Sequence, residues 1–254
     1  MIKIANFIAA SLFFASGVIA APLVKETEET YAVPADAVLK IHNVDGRIFL
    51  YGSEKDEVKI VARKKAYSQA RLAAISVKVA IDGNRVGIDV IYPPRPQGFS
   101  LQDRSGTTDL IMVVPQTCSI AQAELVNGEI IIEGIRGTEV NARLTNGVLA
   151  VTNCFSALRL NATQGTVDVS FGWWEAHDVS LQAELSQGNV RLALPADPAV
   201  RLEVTSVSGQ ITNRFGEELG ESDGRTLKTV IGDEGGAEFK IHTSSANVKI
   251  EHNY

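Results

Sequence analysis

The chain repeats itself, and the repeat limits the folds open to it. A turn glycine recurs, each time followed by alternating apolar residues. The copies span residues 44–50, 126–132, 145–151, 163–169, 186–192 and 207–213, with glycines at 46, 128, 147, 165, 188 and 209. A last copy, 244–250, has Ala246 in the glycine's place. From Gly128 the spacings are 19, 18, 23 and 21 residues, and the final gap of 37 is close to two periods.

The residues before each glycine keep register too. Seven and five positions upstream lie Leu39/Ile41, Ala121/Ala123, Val140/Ala142, Leu158/Leu160, Leu181/Ala183, Leu202/Val204 and Phe239/Ile241, with polar residues between them. Such alternation marks half-buried strands. Each period therefore holds two short strands around an Asn-Gly-like turn that needs φ > 0. A meander of hairpins and a β-solenoid both fit. The columns favour the solenoid, because hairpins do not require one unit to copy the next. Equivalent strands would then pair in parallel, about 4.8 Å apart. The expected fold is an all-β parallel β-solenoid with one short N-terminal helix.

Residues 1–20 read as a secretory leader: Lys3, an apolar run over 7–19, and Val18 and Ala20 as the small residues at −3 and −1 before a cut after Ala20. That run of about 13 residues is shorter than the roughly 20 needed to span a bilayer. The expected location is the periplasm or the cell surface, as a protein not integral to the membrane. Residues 21–107 read as an N-terminal capping part, with strands at 38–43, 47–51 and 57–62. A helix at 67–75 and a hairpin over 76–91 follow. Residues 108–254 read as the regular repeat, opened by a strand at 108–114. Apolar residues at 45% and charged residues at 21% exclude wholesale disorder. A net charge of −6 speaks against a nucleic acid held on a basic face.

At this point the chain resembles a known family. The carrying motifs are Val113-Val114-Pro115, the turns Asn127-Gly128 and Asn146-Gly147, and Gly134-Ile135-Arg136-Gly137. Leu194-Pro195-Ala196 before Val207-Ser208-Gly209, and the closing Gly235-Gly236, also fit. Together they resemble the bacterial adhesin-like family known as domain of unknown function 4097, and LiaG-type and head-GIN adhesin-like proteins. The resemblance implies an exported β-solenoid with no established activity and no catalytic residues to carry over. Gln164 and Gln187 in place of Asn, and an insert over 171–178, depart from the pattern.

Chemistry is sparse. The outward column four before each glycine reads His42, Glu124, Arg143, Asn161, Glu184, Thr205 and His242. It mixes signs, whereas a glycoside-cleaving enzyme needs clustered carboxylates. Glu124 and Arg143 are expected to pair on the surface. His42 and His242 fall in the first and last copies and cannot share a metal, and His252 is expected to be exposed. The acidic residues Glu217, Glu218, Glu221, Asp223, Asp233 and Glu234 lack the spacing of a calcium loop. Cys118 aligns with Gly137 and Phe155, placing Cys154 about 10 Å further on, so free thiols are expected. No catalytic residue, cofactor or metal is expected.

The main irregularity is Phe171-Gly172-Trp173-Trp174-Glu175-Ala176-His177-Asp178. It holds both tryptophans, where the period stretches to 23 residues. Adjacent indoles can seal a coil corner or offer a flat surface to a ligand. Trp173, Trp174 and His177 are the candidate binding residues. The leading expectation is a non-enzymatic, exported, adhesin-like interaction protein. Its partner would be an envelope protein, a glycan, or a second copy met through an uncapped C-terminal end of the solenoid. A periplasmic sensory accessory binding a ligand or signalling partner is the alternative, and a carbohydrate-active enzyme the third reading.

Overall fold

A computed structural model describes residues 21–94, 106–175, 177–215, 221–222, 225–232 and 236–253. The leader, most of the 92–106 loop, the acidic residues Glu217, Glu218, Asp223, Asp233 and Glu234, and Tyr254 lie outside the described residues.

Six of the seven copies each form one long, kinked strand, while the copy around Gly209 is broken into two short strands, Val200–Ser206 and Ile211–Asn213. In β9 (Ala157–Ser170) the inward residues are Leu158, Leu160 and Ala162, then Val167 and Val169. Inward parity thus switches from even to odd across the turn. The switch falls at Gly165, whose φ is +133°. There the strand bends without losing its pairing, so both halves face one core. A Cβ on Gly165 would lie 1.9 Å from the Gly147 carbonyl oxygen of the level below. Both the backbone angle and the close approach therefore demand glycine.

Six such strands stack in parallel and in register. Their order is β2 (Val38–Ser53), β7 (Ser119–Glu133), β8 (Glu139–Thr152), β9, β10 (Ser180–Leu194) and β15 (Ala237–His252). The glycines 46, 128, 147, 165 and 188 occupy one register position. At that position in β15 stands Ala246. Among described non-glycine residues only Asn153 has positive φ, so Ala246 fits by giving up the bend's usual geometry. Its carbonyl instead accepts from the buried Ser206 and Thr243 hydroxyls at 3.0 and 3.2 Å.

Both ends of the stack are antiparallel. At one end β5 (Arg85–Ile91) and β6 (Thr107–Pro115) pair in parallel with the two halves of β2. Outside them, β4 (Ser76–Asp82) runs antiparallel to β5, β3 (Glu57–Ala66) to β6, and β1 (Leu23–Ala32) to β3. Helix α1 (Gln69–Ala74), capped by the Ser68 hydroxyl, links β3 to β4. At the other end β11 (Val200–Ser206) and β12 (Ile211–Asn213) pair in parallel with β15. Antiparallel β14 (Thr226–Ile231) covers β11, and β13 (Glu221–Ser222) pairs β14.

Several expectations change. The chain is all-β and solenoid-like, but its sheet is mixed rather than wholly parallel. The last strand is not an open end. β15 sits between β10 and β11, and the Asn253 amide donates to the Leu194 carbonyl at 2.7 Å. A second copy therefore cannot add to an uncapped last strand, because both edges of β15 are already paired. β2 is a full level of the stack, so one sheet runs through the 107/108 boundary. A bulge in β7 buries Ile120 and leaves Ala121 half-buried, shifting the expected inward residue by one. β1 went unread because it is exposed on both faces and lacks apolar alternation. β14 carries the alternation in Leu227, Thr229 and Ile231, all buried, and accounts for part of the long final gap.

Candidate functional site

The stretched period leaves the stack as an excursion between β9 and β10. It starts from a fixed corner: Asn153, with φ +50°, accepts the Gly172 amide on its side-chain oxygen at 2.7 Å. Phe171 then turns fully inward.

The two tryptophans part company. Trp174 packs on the core, with ring centroids 5.6 Å from Phe171, 6.1 Å from Phe239 and 6.4 Å from Phe155. Trp173 stays 47% exposed, against Phe155 at 6.2 Å. Its indole N–H donates to Glu175 Oε1 at 2.6 Å.

Glu175 is the clasp. Arg136, from the turn before β8, donates Nη2 to Glu175 Oε1 at 2.7 Å and Nε to Oε2 at 3.2 Å. A forked pair of this kind fixes orientation as well as charge. The same guanidinium lies 5.6 Å from the Phe155 ring centre. The hydrogen bonds from Arg136 hold the Glu175 carboxyl below the usual glutamate range, with a further contribution from Trp173. In return Glu175 raises the Arg136 pKa.

A cleft of about 600 Å³ opens beside the clasp, lined by Trp174, Glu175, His177, Asp178, Ala199, Gly236 and Ala237. Of the three candidate residues, Trp174 and His177 share this cleft, while Trp173 lies outside its lining. His177 and Asp178 are exposed, and no described group pairs with the Asp178 carboxylate. The cleft offers an aromatic edge beside hydrogen-bonding groups, suited to a ligand with apolar and polar faces. The sequence places Arg136 only in a turn motif and Phe239 only on an inward strand face, and ties neither to the loop. The arginine sits 39 residues from its partner, and Phe239 reaches the cluster only because β15 is inserted next to β10. The single signal was Arg136 at a turn in register with later coil corners.

The remaining candidates stay apart. His42 on β2 and His242 on β15 are five levels apart, about 24 Å. Among the described residues no group of three or more metal-ligating side chains occurs. His252 is half-buried, its ring stacked on Phe215 at 3.9 Å, contrary to the expected exposure. Cys118 and Cys154 are buried free thiols. Burial pushes both pKa values up to about 12, and the Cys154 thiol donates to the Thr152 carbonyl at 3.4 Å. The expected Glu124–Arg143 ion pair is absent. Glu124 accepts from Gln122 at 2.7 Å instead, and Arg143 pairs with no described group. No helix among the described residues is long and apolar enough to cross a membrane.

Comparison with known proteins places this geometry. The model of the Toastrack DUF4097 family matches residues 35–251. A crystal structure of a candidate cell adhesion protein from Clostridium sporogenes is similar, at 14% identity and a TM-score of 0.56. The match covers 90% of this chain and all of that one. A candidate adhesin from Bacteroides fragilis aligns at 11% identity and a TM-score of 0.27, over 90% of this chain and 97% of that one. No curated protein matches the chain.

Proposed function

The chain belongs to the Toastrack DUF4097 family, and on that footing we propose that it is an exported, non-enzymatic interaction protein. Its β stack holds out a preformed cleft to another component of the cell envelope. The observation that carries this reading is the Arg136–Glu175 clasp. It fixes an inserted loop so that Trp174, His177 and Asp178 border one open cavity. A loop needed only to close the corner would require Trp174 alone. The excursion also exposes Trp173 and spends a forked ion pair on its own shape, which is how a preorganised binding loop is built. Export rests on the Lys3-to-Ala20 pattern. With cleavage after Ala20, β1 would begin two residues beyond the new N-terminus.

The test is site-specific photo-cross-linking in the native cell, with benzoylphenylalanine placed at His177 and, as a control, at Lys78 on β4. One envelope component captured from His177 and not from Lys78 supports the reading. If the protein is exported and abundant yet gives the same products from both positions, or none, the reading fails. Sequencing the exported protein's N-terminus checks the cut after Ala20.

A further inference from the structure

The insertion of β15 beside β10 builds a second surface, which shares no lining residue with the tryptophan cleft. Four outward side chains become neighbours on consecutive levels: Arg143 on β8, Asn161 on β9, Glu184 on β10 and His242 on β15. Two residues further along, nearer the bend, each of these levels bears a small hydroxyl: Thr145, Thr163, Ser186 and Ser244. The flanking levels carry Val44, Val126 and Val207 there instead. All residues of the two rows except Thr145 border a cleft of about 240 Å³.

None of these eight side chains has a hydrogen-bond or ion-pair partner among the described residues. Other outward groups on the same coils do pair across levels. Arg191 bridges Asp168 at 3.1 Å and Glu251 at 2.7 Å, Arg159 reaches Glu139 at 3.1 Å, and the Thr152 and Ser170 hydroxyls meet at 3.1 Å. Here donors and acceptors stand side by side and point to solvent.

We infer that this groove is a binding site for an extended neutral glycan chain lying along the stack axis. The polar rows span about 14 Å, more than one sugar ring covers. Arg143 and Glu184 have opposite charges two levels apart, so neither a polyanion nor a polycation is favoured along the whole row. A peptide strand has no free sheet edge to join, because β8, β9, β10 and β15 are each paired on both sides. The apolar residues on the groove's floor, Leu144, Ala162 and Leu185, are themselves buried in the core and leave little apolar surface for a peptide's side chains. A chain of hydroxyls, which both donate and accept, matches hydroxyl, amide, guanidinium and carboxylate groups in one row.

The test begins with the full exported chain on a printed array of neutral and charged glycans. Calorimetry then follows with the oligosaccharide it retains best, against wild type, Arg143→Ala, Glu184→Ala and His177→Ala. All three are exposed side chains, and thermal melts confirm folding. The expected result is retention of a neutral glycan, tighter binding as the oligomer lengthens, and at least tenfold weaker binding in both groove variants. His177→Ala should bind as wild type. The inference is overturned if no glycan is retained, if only charged glycans are, or if the groove variants bind unchanged. Loss in His177→Ala instead would assign the sugar to the tryptophan cleft and likewise overturn it.

Discussion

Replacing Gly165 by alanine tests the coil architecture directly. The new Cβ would sit 1.9 Å from the Gly147 carbonyl oxygen and 2.8 Å from its carbon. Ordinary contact begins near 3.4 Å, so that carbonyl must withdraw by about 1.5 Å. It belongs to the next strand, and the withdrawal opens the ladder at the bend. Losing one or two inter-level hydrogen bonds costs about 1–3 kcal/mol. The φ of +133° adds about 1–3 kcal/mol for any residue with a side chain. The sum is roughly 2–6 kcal/mol, or a fall in Tm of about 4–24 °C for a chain of this size. Gly83 is the internal control. Its φ is +59°, and nothing lies within 4 Å of its would-be Cβ. Gly83→Ala should cost only about 1 kcal/mol. Urea unfolding followed by far-ultraviolet circular dichroism reads both. Equal losses, or a smaller one at Gly165, would refute the argument that level-to-level contact dictates glycine at the bend.

The tryptophans should differ in the same assay. Trp174→Ala removes three ring contacts and should cost about 3 kcal/mol, whereas Trp173→Ala should cost under about 1 kcal/mol. Glu175 titrates below its unfolded value, so its stabilisation is complete above the ordinary glutamate range and fades as pH falls through the lowered folded value. The stability gap between wild type and Glu175→Gln should therefore shrink on acidification from pH 7, and a constant gap would count against the clasp. Both thiols, with pKa values pushed to about 12, should resist a thiol-reactive dye in the native protein. Two equivalents should react once urea is added, and none reacting even then would mean a disulfide.

Much of the local architecture is written in the repeat. Leu158, Leu160, Val167 and Val169 point inward because side-chain alternation and a glycine bend leave no other consistent arrangement. The helix at 69–74 and the hairpin over 76–91 follow from equally local signals, the Ser68 cap and the Asp82-Gly83-Asn84 turn. The candidate loop was visible as a length anomaly with both tryptophans in it.

Level order was decided elsewhere. Sequence columns give the phase of each strand but not its neighbour, since any two strands with the same inward pattern can pair in parallel. Only assembly placed β15 between β10 and β11, where Phe239 completes the aromatic cluster and its glycine-deficient bend meets the Ser206 hydroxyl. That placement set His242 beside Glu184. Arg136 and Glu175 likewise meet only because coil corners two periods apart come together in space. Periodicity, parity and turn chemistry act over a few residues and are legible in one dimension. Which edge is covered, and which charge finds a partner, depends on burying every open edge at once, and that is settled only in three.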